Sequence, residues 1–203
     1  MWQSLTLVAR RSDSLVSLAV LVLSGGAALI TAGCGSQVKS AAIPSAVADK
    51  ALAGSPPALA ALHRQANQLL GGGTPAFTGR RLDLRGYPVV VNKWASWCGP
   101  CQSEFPIFQR VSVAYGRRVA FVGVDANDHT SAARAFLHTF PVTYPSYSDP
   151  HQTISSSIKA NTYFPQTVFI NRGGRVVFQH AGPYLNAKAL EQDIQHYALG
   201  AAS

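Results

Sequence analysis

The stretch Tyr87-Pro88-Val89-Val90-Val91-Asn92-Lys93-Trp94-Ala95-Ser96-Trp97-Cys98-Gly99-Pro100-Cys101 decides the fold. Its first eight residues are β-branched, aromatic and mostly apolar, the composition of a central strand buried on both faces. A short link leads to a Cys-x-x-Cys pair, and Gln102 to Tyr115 then carries Phe105, Phe108 and Val111 at helical spacing. The pair therefore opens a helix at the end of a strand. Free backbone N–H groups and the positive end of the helix dipole stabilise an anion at that place. Cys98 is expected to be partly thiolate near neutral pH and to act as the nucleophile. Cys101, one turn deeper, is placed to resolve a mixed disulfide. Pro100 suits an early helical position, where its missing N–H is not needed.

The chain of 203 residues is 47% hydrophobic and holds three cysteines, Cys34, Cys98 and Cys101. A zinc ribbon needs a second ligand pair, and a disulfide framework needs cysteines spread along the chain. What remains is one redox pair and one cysteine with a different task, with no metal and no cofactor required. The net charge of +8 raises nucleic-acid binding. Against it, the basic residues are scattered with no run longer than a pair, as in Arg80-Arg81 and Arg117-Arg118. A mild attraction to anionic membranes or acidic partners is the better use of that charge.

Residues 1–33 read as a signal peptide: Arg10-Arg11 close a short basic region, an apolar stretch runs from Leu15 to Ile30, and Thr31-Ala32-Gly33 precede Cys34. Small residues before a lone cysteine resemble a bacterial lipobox, which implies lipidation of Cys34 and a membrane-anchored, extracytoplasmic protein. Thr31 departs from the aliphatic residue usual at its position. Residues 34–75 are expected to form a tether containing a short helix between Pro57 and Leu70, stopped by Gly71-Gly72-Gly73. The domain proper is expected over 76–203. Within it, Val119–Val124 reads as a second buried strand ending at Asp125, and Thr130–Phe140 as a helix capped by Thr130 or Ser131. Tyr144–Ile158, broken by Pro145 and Pro150, reads as irregular, ending in a short helix. Lys93, alternating away from Asn92, is expected to snorkel at the far face of its strand.

The string Trp94-Ala95-Ser96-Trp97-Cys98-Gly99-Pro100-Cys101 closely resembles the signature of the thioredoxin superfamily, and the resemblance extends over most of residues 80–200. It implies an α/β thioredoxin fold, a mixed central β-sheet flanked by helices. Pro106 stands where thioredoxins kink the active-site helix. Phe164 to Ile170 is similar to the cis-proline strand, with Pro165 as the cis residue. Gly173-Gly174 would turn it into Arg175–His180, and Leu185–Leu199 would close the domain as a helix. Asn92-Lys93-Trp94-Ala95 and Glu104-Phe105-Pro106 resemble the extracytoplasmic TlpA/ResA-type branch. Asn92 replaces the buried Asp of thioredoxin, so that base is missing, and Glu104 matches a glutamate found near the cysteines in the ResA type.

The resemblance implies a thiol–disulfide oxidoreductase that exchanges disulfides with exported proteins through Cys98 and Cys101, assisted by Glu104. Substrates would dock around Trp97, Gly99, Pro100, Phe164 and Pro165, and a membrane redox donor or acceptor would restore the pair. Tasks in this branch include reducing apocytochrome c cysteines before haem attachment and maintaining other exported thiols. Two other readings stand beside it. A thiol peroxidase would carry Thr and Pro just upstream of a lone cysteine, where Ser96-Trp97 stand. A copper-binding assembly factor of the same fold would space its cysteines C-x-x-x-C with a distal histidine, for which His180 is the candidate.

Overall fold

A computed structural model describes residues 42–160 and 162–200. The expected signal peptide and Cys34 lie outside the described residues. Strand order is β1-β4-β3-β2-β5-β6, where β1 is Leu69–Leu70, β2 Val89–Trp94, β3 Ala120–Ala126, β4 Ser146–Asp149, β5 Gln166–Ile170 and β6 Val176–Ala181. The first four strands run parallel to one another, β5 runs antiparallel to β2, and β6 runs antiparallel to β5. This is the mixed α/β sheet of the thioredoxin fold.

β2 lies at the middle, hydrogen-bonded to β3 on one side and β5 on the other, and all six of its residues are buried. Alternation sends its side chains into two separate cores. Val90 and Trp94 pack with Phe105, Phe108, Phe121 and Phe169, while Val89 and Val91 pack with Leu59, Leu62, Phe77 and Val168. Helix α4, Gly99–Tyr115 with Pro106 inside it, covers the first face. At Gly123 a side chain would collide with Ser146 Oγ at 2.0 Å. That close approach lets Trp94 Nε1 donate to Ser146 Oγ at 3.1 Å.

The structure corrects the expected tether. Helices α1 (Ser45–Leu52) and α2 (Pro57–His63) are built against the domain: Leu59 and Leu62 are completely buried, and Ile43 exchanges hydrogen bonds with the Gln109 side chain of α4. The helix expected to reach Leu70 ends at His63. Asn67 then adopts a left-handed φ of 60°, and its side chain bonds Leu137 O and Val142 N. Leu69-Leu70 instead pair with Ser146-Tyr147 of β4. Beyond them a further helix, α3 (Gly73–Asp83), brings Phe77 edge-on to Tyr147.

The stretch read as irregular contains a strand, β4, and the short helix expected at its end is α6 (Thr153–Ser157). Helix α5 (Thr130–Thr139) starts after His129, without a side-chain cap from Thr130 or Ser131. The closing helix α7 covers Ala187–Asp193 and continues as a π-helical turn, Ile194–Ala198. Arginines scattered in sequence also converge. Two grooves that share Tyr87 and Arg172 are lined by Arg81 and Arg85 in one and Arg117 and Arg118 in the other, with no acidic residue in either lining. Among the described residues no helix is long and apolar enough to cross a membrane.

Because Leu62 is core, Leu62→Ala should cost about 2–5 kcal/mol in urea denaturation. Leu82→Ala, at a site 52% exposed, should cost no more than about 0.5 kcal/mol. Equal small losses would return the segment to a tether.

Candidate active site

Cys98 is the N-cap residue of α4, immediately beyond β2, and it forms a disulfide with Cys101. The Cys101 backbone N–H donates to Cys98 Sγ at 3.2 Å, so an otherwise unpaired donor of the first helical turn is aimed at this sulfur. Both cysteines are buried, Cys98 retaining 4% exposure and Cys101 none, so Cys98 is the nearer of the two to the surface.

The surface around it is apolar. Trp97, Gly99 and Pro100 are exposed, Trp97 at 56%. The Trp97 indole donates to Asn127 O at 2.9 Å, and its ring packs against half-buried Phe164 at 4.9 Å. The Phe164–Pro165 peptide is cis, as the resemblance implied. Exposed Tyr163, next to Phe164, adds further apolar area. The substrate-contact residues expected from the sequence are thus described, with Trp97 and Phe164 in contact.

Below this surface Glu104 is completely buried, on the helix three residues past Cys101. Its carboxyl accepts Asn92 Nδ2–H at 3.0 Å on one oxygen and the Tyr184 backbone N–H at 3.2 Å on the other. Burial pushes its pKa up to about 8, against the pull of those two donors. Near neutral pH Glu104 is therefore mainly a neutral acid. The reading of Asn92 and Glu104 as separate features gives way to one hydrogen-bonded unit.

Three further polar residues hold places that the sequence reading did not give them. Lys93 does not snorkel: it is fully buried, with Nζ donating to Tyr163 O at 3.1 Å and lying 3.7 Å from the Phe164 ring centroid. Asp125, in register with Trp94, is also buried, and neither of its oxygens meets a hydrogen-bond donor among the described residues. Burial first, and then the nearby charge of Asp128, raise its pKa to about 8. Asp128 accepts the Ser96 backbone N–H and the Ser96 hydroxyl, the latter at 2.9 Å, and so braces the link before Cys98. Burial opposes ionisation of Asp128, yet the donors from Ser96 and His129 outweigh it and its pKa falls. For Lys93 and Asp125 the trace in the sequence is a charge placed inside an apolar strand; Asp128, beyond the end of β3, leaves none. His180, the histidine considered for copper, stacks on Tyr184 and faces Asp193 at 3.8 Å.

Comparison with known proteins places the chain. The Redoxin family model matches residues 76–194, more than half of the sequence. The chain belongs to the Redoxin family. A thioredoxin-like protein of Bacillus subtilis, YneN, is similar to this Redoxin chain at 30% identity over 115 residues, covering 55% of the chain and 66% of YneN. The thiol-disulfide oxidoreductase ResA of Bacillus thuringiensis is 29% identical over 101 residues, covering 49% and 58%. A crystal structure from Chlorobium tepidum, described provisionally as a thiol:disulfide interchange protein DsbE, superposes with a TM-score of 0.53 at 30% identity. That match covers 57% of this chain and 83% of the other. The Redoxin chain spans between half and two thirds of the length of these curated relatives.

Glu104 sets a pH test for the oxidised protein. Its folded pKa lies above its unfolded value, so its contribution is complete below about pH 4.5 and is lost as pH rises through about 8. Between those limits the unfolded chain holds fewer protons, and stability falls with pH. Glu104→Gln should make the slope of unfolding free energy between pH 5 and 8 shallower by up to about 1 kcal/mol per pH unit. Urea denaturation across that range measures it, and an unchanged slope would mean that Glu104 ionises normally.

Proposed function

We propose that this protein is an extracytoplasmic thiol–disulfide oxidoreductase, anchored by lipid at Cys34, that exchanges disulfides with exported proteins. The observation that carries the reading is the Cys98–Cys101 pair at the start of α4, with Cys98 the less buried of the two and next to exposed Trp97, which packs on Phe164. Relatives named thiol-disulfide oxidoreductase support it.

In the reducing direction, Cys98 thiolate attacks one sulfur of a substrate disulfide. A Cys98–substrate bond forms as the substrate S–S bond breaks, and the departing thiolate takes a proton. Cys101, deprotonated, then attacks Cys98 Sγ and expels the second substrate thiolate. The substrate gains two electrons and the protein is left as the Cys98–Cys101 disulfide, which a membrane-bound dithiol donor would reduce. The oxidising direction runs the same steps backwards. Neutral Glu104 spares Cys101 the repulsion of a second anion at neutral pH; once ionised it would raise the cysteine pKa values. Reduction of apocytochrome c cysteines and upkeep of other exported thiols both fit this chemistry.

Trapping in cells tests the reading. Cys101→Ser should accumulate proteins disulfide-linked to Cys98, released by dithiothreitol, while Cys98→Ser accumulates none. Linkage through Cys101 alone, or no linked protein at all, would contradict it. Cys34→Ala should move the protein out of the membrane fraction, and unchanged fractionation and migration would remove the lipid anchor from the account.

A further inference from the structure

Lys93 occupies a position that thiol–disulfide chemistry does not itself require. It is the fifth residue of a six-residue strand hydrogen-bonded on both sides, and its side chain leaves the sheet on the face of Val89 and Val91. It is fully buried, and among the described residues no carboxylate oxygen lies within 4 Å of Nζ. The acid whose charge reaches it is Asp149, whose two oxygens are already engaged by the Ile154 and Ser155 N–H groups and the Thr153 and Ser155 hydroxyls. A buried ammonium without an ion pair costs stability, so an apolar residue of the same shape would serve packing better.

What the ammonium does contact is specific. Nζ donates to the carbonyl of Tyr163 and lies under the ring of Phe164, and Phe164 in turn packs on Trp97, the residue before Cys98. A cation over an aromatic face is attracted by the ring quadrupole, and more strongly where water is excluded. One side chain thus grips two consecutive residues leading into Pro165. Burial lowers the Lys93 pKa to about 8, with Asp149 opposing the fall, so the group is mostly protonated near neutral pH.

We propose that Lys93 is a positioning residue for disulfide exchange, its ammonium holding the Tyr163 carbonyl and the Phe164 ring from beneath so that Phe164-Pro165 presents a fixed docking edge beside Cys98. The inference rests on the oxidoreductase reading above. Lys93 touches neither the substrate nor the cysteines; it acts through the segment that substrate polypeptide meets. Its loss should weaken docking of a polypeptide and spare the chemistry of a small disulfide that needs no docking.

The experiment uses the reduced full-length chain with two probes, insulin as a polypeptide disulfide and 5,5′-dithiobis(2-nitrobenzoate) as a small one. Lys93→Met should raise KM for insulin about tenfold with kcat nearly unchanged. The rate with the small disulfide should stay within about twofold, and the thermal midpoint should be unchanged or higher. Lys93→Arg, which restores a cation able to donate to Tyr163 O and lie on Phe164, should recover most of the insulin KM. A wild-type insulin KM in Lys93→Met would overturn the proposal, as would equal losses against both probes. A wild-type chain that reduces neither probe would overturn the oxidoreductase reading itself, and the inference with it.

Discussion

The central strand carries two polar residues while buried on both faces, and much of the site follows from how that conflict is met. Asn92 and Lys93 lie near the end of β2, ahead of the cysteines, and each needs a hydrogen-bond partner where water is absent. On the α4 face Asn92 donates to Glu104, whose second oxygen receives the Tyr184 backbone N–H from the far end of the domain. On the other face Lys93 donates to Tyr163 O beside the cis-proline. The same two residues therefore tie the strand to the helix that carries the cysteines and to the segment opposite them.

This arrangement gives the disulfide an unusual electrostatic setting. Buried Glu104 and Asp125 are both pushed toward neutrality around pH 7, whereas Asp128 keeps its charge by gathering donors from Ser96 and His129. The fixed attraction for an anion at Cys98 comes from the start of α4, where the Cys101 N–H points at the sulfur. Glu104, neutral on the same helix, adds no negative charge against that attraction, whereas its ionisation near pH 8 would add one.

Local chemistry made the strand, the redox pair and its helix legible. An apolar run, a Cys-x-x-Cys and helical apolar spacing lie within thirty residues of one another, and no distant contact is needed to read them. Phe164-Pro165 was legible only through the resemblance, since X-Pro is trans by default. Tertiary packing hid the rest. Short helices such as α1 and α2 are marginal alone and owe their place to the core they meet, which composition rich in Ala, Ser and Pro did not betray. Four residues of β4, Ser-Tyr-Ser-Asp, between two prolines carry almost no strand pattern; pairing with β3 and β1 makes them one. Alternation correctly gave the face from which Lys93 leaves its strand, but not that this face is closed by Tyr163 and Phe164.

Everything in this account depends on Cys98, and not Cys101, being the activated sulfur. Alkylation by iodoacetamide of the reduced Cys101→Ser and Cys98→Ser variants, followed across pH by mass spectrometry, addresses that directly. The account predicts that Cys98 reacts at least about tenfold faster than Cys101 at pH 7, with its rate rising through a pKa below the ordinary thiol value near 8.5. Equal rates, or a faster Cys101, would contradict it.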